Sequence, residues 1–261
     1  MRIFVCLAFL ALSYPAQAQT LGEAFWLLRI QQFESGPGLD ASPIDAYRNA
    51  KSNVDVLGIR SVTGVSQLWL LEPHGSFASI EALDKALANV APDHRREDSG
   101  VQEWLLLRPL TLLGIYRPGL SYRADEALKL FPLARYFRVS VFRIRPGTDI
   151  EFAELMRIRR LGLDSINLDR PEIGYQVISG STSGTYIFLS PLTSLALMDN
   201  GLARMPAYAE EALQGAGKAG RQTAYEALLS REQLIFRVEP RASFVSPEFA
   251  GNDSAFWHPG Q

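Results

Sequence analysis

The sequence predicts an α+β protein built from two tandem copies of one βαββαβ unit. Two observations lead there. Strand-type runs and capped helix starts recur in the same order in both halves, and in each half two short β-type runs are joined by a Gly/Ser-rich link suited to a hairpin.

The elements follow in chain order. Met1 to Ala18 carries one basic residue, Arg2, an apolar run from Ile3 to Leu12, and the small-residue pattern Ala16-Gln17-Ala18. That is the order of a secretory signal peptide, and the apolar run is shorter than the roughly 20 residues a membrane span needs. Residues 1–18 are therefore expected to be cleaved, giving a periplasmic or secreted protein without a membrane span. Phe25 to Ile30 is the first strand-type run, and Val139 to Ile144 repeats its Arg-Ile ending. A Pro-Gly-x-Asp turn follows each, at Pro37 to Asp40 and Pro146 to Asp149. Helices are expected over 43–54, opened by Ser42-Pro43, and over 149–161, opened by a Thr148-x-x-Glu151 capping box. Hairpins follow at 59–71 and 174–189, each leaving through a proline, Pro73 or Pro191. Ser79 to Asp84 and Ser194 to Asp199 begin the second helices, extended through Trp104 in one half and through Tyr225 to Leu229 in the other. Leu110 to Tyr116 and Gln233 to Val238 close the units. The expected boundaries are residues 19–122 and 137–244 for the two units, a linker at 123–136, and a tail at 245–261.

A βαββαβ unit folds most simply as a four-stranded antiparallel sheet with both helices on one face, the ferredoxin-like arrangement. Trp26, Leu28 and Ile30 alternate with Leu27 and Arg29, so neither face of that strand is polar. The uncovered face must meet the second copy's sheet, face to face, as a pseudo-dimeric α+β barrel whose interior is a candidate ligand site.

Composition narrows the function. Cys6 is the single cysteine and lies in the signal segment, so thiol nucleophiles and thiolate-bound metals are excluded from the mature chain. The whole chain has 26 basic against 28 acidic residues, a balance that argues against nucleic-acid partners. His74 in the Pro73-His74-Gly75 turn, His94 in a polar stretch and His258 near the end read as surface residues, so neither a haem ligand nor a metal site is expected. There is no Gly-x-Ser-x-Gly elbow, and Gly215 to Gly220 reads as a link between helices.

Phe142 to Asp149 (Phe-Arg-Ile-Arg-Pro-Gly-Thr-Asp), Tyr186 to Pro191 (Tyr-Ile-Phe-Leu-Ser-Pro) and the tail Ser246 to Ala250 carry a resemblance. On these residues the chain resembles the dimeric α+β-barrel superfamily in tandem single-chain form, and more narrowly a group of exported bacterial proteins of unknown function. That superfamily includes cofactor-free monooxygenases, haem enzymes such as chlorite dismutases and dye-decolorising peroxidases, and proteins with no known activity.

Arginines inside strand-type runs are the notable polar residues, because a guanidinium among apolar neighbours must be paired or reach water. Arg29 and Arg143 read as matching positions of the two copies, and Arg237 joins them. With Trp69, Tyr175 and Tyr186 as apolar wall, these residues are the candidate ligand site between the sheets. The expected function is a non-catalytic exported protein binding a small, partly apolar ligand without a cofactor, as a monomer or weak homodimer. The alternatives are a cofactor-free monooxygenase-like enzyme and a structural interaction module using the aromatic tail, Phe249, Phe256 and Trp257.

Overall fold

The computed structural model describes residues 26–34, 44–90, 109–168, 170–204 and 226–258. The signal segment, the first Pro-Gly turn, the stretch to Trp104 and the glycine-rich link lie outside them.

Eight strands form one closed antiparallel barrel in the order β1-β3-β2-β8-β5-β7-β6-β4, with β4 returning to β1. They are β1 (Leu27–Glu34), β2 (Leu57–Ser61), β3 (Gln67–His74), β4 (Leu110–Tyr116), β5 (Tyr136–Ile144), β6 (Ile173–Ser179), β7 (Thr185–Leu192) and β8 (Leu228–Val238). Two sheets packed face to face as a pseudo-dimeric barrel were expected. Instead β2 bonds to β8 and β4 to β6, so the sheet rolls into a tube and has no exposed edge.

Each strand alternates between the barrel interior and the helix layer outside it. Leu28, Ile30, Ile59, Trp69, Leu71, Phe137, Val139, Ile187, Leu189, Phe236 and Val238 share one inner core. Their neighbours along the chain point outward. Phe33, Leu68 and Leu70 pack with Ile44 and Tyr47 of α1 (Ile44–Asn49) and Leu83 of α2 (Phe77–Val90). Phe142, Ile144, Tyr186 and Phe188 pack with Phe152, Leu155 and Met156 of α4 (Asp149–Ser165). Both faces of β3 and β7 are therefore covered, and β7 is buried along its whole length.

The stretch expected as a plain linker carries α3 (Ala124–Leu130) and a 3₁₀ turn at Phe131–Leu133, which plug one barrel end. The tail completes that plug through α6 (Pro247–Gly251) and α7 (Ser254–Trp257). Trp257 Nε1 donates to the Pro132 carbonyl at 2.9 Å, Phe249 packs on its ring, and Arg135 pairs with Asp253 beneath Phe256. The tail is a latch on the body.

Several local expectations change. Thr148 makes no capping bond, because its hydroxyl donates to the Arg145 carbonyl at 2.7 Å. α2 begins at Phe77, ahead of Ser79, and Ser76 accepts the Ser79 amide. Residues 228 and 229 belong to β8, not to a helix, and α5 spans Ala196–Ala203. Gly58 is required where β2 meets the turn at Ala242: a Cβ there would lie 2.1 Å from the Ala242 carbonyl oxygen.

Candidate functional site

Between the barrel and its helices lie two buried polar clusters, one in each half. The first grows from outward residues of β1 and β3, whose register sets Arg29 opposite Glu72 and Leu27 opposite His74. Glu72 has no solvent exposure. Arg29 Nε donates to its Oε2 at 2.8 Å, and Gln31 and the Tyr47 hydroxyl donate to its Oε1 at 2.5 and 2.9 Å. His74 presents Nε2 to Oε2 at 3.5 Å while its Nδ1 meets the Ser79 hydroxyl at 3.1 Å. Arg29 also reaches Asp84 on α2 at 2.5 Å. Burial pushes the Glu72 carboxyl up, but His74 and Arg29 outweigh it and hold the group below the ordinary carboxylate range. The same carboxylate raises the Arg29 guanidinium against its own desolvation, and burial with Glu72 raises the Tyr47 phenol well above its usual value. Every oxygen of Glu72 is occupied, so this cluster braces β1 and β3 to α1 and α2.

The second cluster is assembled differently. Arg138 lies on β5 opposite Ser190 of β7 and is nearly fully buried. Its Nη2 meets the Ser190 hydroxyl at 3.4 Å, and that hydroxyl donates to the Pro171 carbonyl at 3.0 Å. Glu172, just before β6, is held by both guanidinium nitrogens of Arg159 from α4, and its Oε2 is 3.9 Å from Arg138. Among the described residues the buried Arg138 Nε has no hydrogen-bond partner. Burial, reinforced by the positive charge of Arg170, pulls the Arg138 guanidinium below its ordinary value despite Glu172. Such a site can hold and polarise an oxygen anion.

The structure does not bring the six expected residues together. Trp69 and Tyr175 do line the inner core: Trp69 packs on Phe236 at 4.7 Å and Tyr175 on Tyr116 at 6.0 Å. Burial also raises the Tyr175 phenol. Arg143 is exposed near the end of β5, opposite Thr185 and Ser230. Arg237 is exposed and pairs with Glu239. Tyr186 faces α4 and donates to Asp149. Arg29 sits in the first cluster, outside the barrel.

The pairing of Arg29 with Arg143 is also corrected. Counted from the residue opposite the proline, Leu28 at Pro73 and Phe137 at Pro191, the next residue is Arg29 opposite Glu72 in one strand pair and Arg138 opposite Ser190 in the other, so Arg138 and not Arg143 holds the register of Arg29. His74, expected on the surface, is completely buried. Its Nδ1 lies 3.1 Å from the Ser79 hydroxyl and its Nε2 3.5 Å from Glu72, and His258 is exposed at the end of α7. Glu72, Arg138 and Glu172 were missed, although Glu72 and Arg138 satisfy the criterion that singled out Arg29: a charge inside an apolar strand.

No protein-family profile matches the sequence, and no curated protein matches it. Solved structures do. An anthrone oxidase-like protein superimposes with a TM-score of 0.56 at 13% identity, over 87% of this chain and 96% of the other. A putative monooxygenase from Fusobacterium nucleatum gives 0.50 at 11% identity, over 81% and 91% of the two chains. A mutant chlorite dismutase from Candidatus Nitrospira defluvii gives 0.49 at 10% identity, over 84% and 94%. The likeness to the first two establishes the α+β-barrel fold. The expectation of a non-catalytic binding protein is corrected on the first two of these, which share the fold and are described as an anthrone oxidase-like protein and a putative monooxygenase.

Proposed function

We propose that this chain is an oxidative enzyme of the cofactor-free monooxygenase kind, carried on two fused ferredoxin-like units of 19–122 and 137–244 and exported after loss of residues 1–18. The observation that carries the enzyme reading is the likeness of its fold, over most of the chain, to a putative monooxygenase and an anthrone oxidase-like protein. Fusion of two units is supported by the strand orders β4-β1-β3-β2 and β8-β5-β7-β6, which are the same order twice, and by the matched proline pairs at Pro73 and Pro191.

Oxygen insertion without a cofactor needs an aromatic enol or phenol whose anion gives an electron to O₂. The protein's share is to favour that anion and hold it away from water, work suited to a buried cationic group. The test is O₂ uptake by the mature protein with anthrone, in the presence of a chelator. Protein-dependent uptake with quinone formation is expected; a rate equal to that with heat-denatured protein would refute the proposal for this substrate class. Export predicts a periplasmic product whose N-terminus is Gln19, which mass spectrometry of the purified protein checks.

A further inference from the structure

Arg29 and Arg138 occupy the same register position in the two halves, and what stands beside them differs in one consistent sense. Opposite Arg29 is Glu72; opposite Arg138 is Ser190. Two residues further along the strand, Gln31 bonds to Glu72, and its counterpart is the buried Ser140. A carboxylate and a carboxamide in the first half are thus replaced by two hydroxymethyl groups in the second. Both negative charge and side-chain bulk are withdrawn from beside a buried guanidinium.

Gln233 of β8 returns a carboxamide, donating to the Ser140 hydroxyl at 3.4 Å, but the remaining groups do not restore the lost charge. Glu172 is spent on Arg159 and lies 3.9 Å from Arg138. The Ser190 contact is long, at 3.4 Å, and among the described residues Nε has no hydrogen-bond partner. Arg159, Arg170 and Arg231 add positive potential at the same place. A guanidinium keeps its charge inside proteins, so burial with this little compensation demands an anion. Nε and Nη2 form the side-on fork that matches a planar carboxylate with two parallel bonds.

We propose that a small carboxylate binds beside Arg138, against Ser140 and Ser190, in the place that the Glu72 carboxylate fills beside Arg29. This site lies under α4, outside the barrel, and holds whether or not the chain is an oxygenase. The experiment is thermal unfolding of the mature protein at fixed pH and ionic strength in acetate, chloride or phosphate. Acetate raises the midpoint saturably over chloride, by roughly 2–5 °C. Ser190→Glu supplies the missing carboxylate, so it raises the midpoint in chloride and abolishes the acetate response; Arg138→Leu abolishes the response as well. Should Arg138→Leu fail to fold, Ser190→Glu decides alone. Equal midpoints in acetate and chloride for the wild type, an undiminished response in Ser190→Glu, or a larger effect of phosphate than of acetate would each overturn the proposal.

Discussion

Replacing Glu72 by glutamine probes the first cluster most sharply. The substitution keeps shape and removes charge. It leaves Arg29, with a side-chain exposure of 6%, facing only Asp84, whose own exposure of 57% lets water screen the pair. The new amide also turns one donor toward groups that already donate, either Arg29 at one oxygen or Gln31 and Tyr47 at the other. Removing one partner of a buried pair costs about 3–5 kcal/mol, because the other charge stays behind in low dielectric. Urea unfolding, with the slope checked for two-state behaviour, measures this loss. The double change Arg29→Met with Glu72→Leu should recover most of it, since neither charge then remains buried. A loss below about 1 kcal/mol for Glu72→Gln, or no recovery in the double variant, would refute the brace.

Other outcomes follow from the same packing. Glu72 is held below its ordinary carboxyl value of 4.5, so the unfolded chain binds the proton first; its contribution is complete above about pH 4.5 and is lost as pH falls through the folded value, making acid unfolding of the wild type steeper than that of Glu72→Gln. Gly58→Ala drives a Cβ into the Ala242 carbonyl and should cost at least about 2 kcal/mol, whereas Gly119→Ala, with open space around it, should change little in the same melt. Trp257→Ala removes the bond to Pro132 and the rings packed on it, with an expected loss of about 3–5 kcal/mol and early proteolysis of the tail. Arg237→Ala breaks a surface pair and should shift stability by no more than about 1 kcal/mol.

Much of the fold is legible in the sequence because strand periodicity, hairpin glycines and exit prolines are local signals. The order of the eight strand-type runs and the alternation of Leu28 and Ile30 with Arg29 carry over directly into β1 to β8. The site was far less legible. Matching Arg29 with Arg143 instead of Arg138 slips the register by five residues, and an odd slip exchanges the two faces of a strand. The arginines were expected between the sheets, where the structure has a packed apolar core around Trp69 and Phe236. Pro73-His74-Gly75 reads as an exposed turn, yet β3 runs to His74 and α2 folds over it, a tertiary fact with no local signature. The partner of Arg29 could be found only by knowing that β1 and β3 are neighbours.

Oxidation of anthrone under ¹⁸O₂ tests the central proposal most directly. A monooxygenase places one atom of O₂ in the product and releases the other as water, so anthrone plus O₂ gives anthraquinone plus water. Protein-dependent anthraquinone carrying one ¹⁸O is the predicted result. Product that forms at the same rate without the folded protein, or that takes its new oxygen from water, would contradict it.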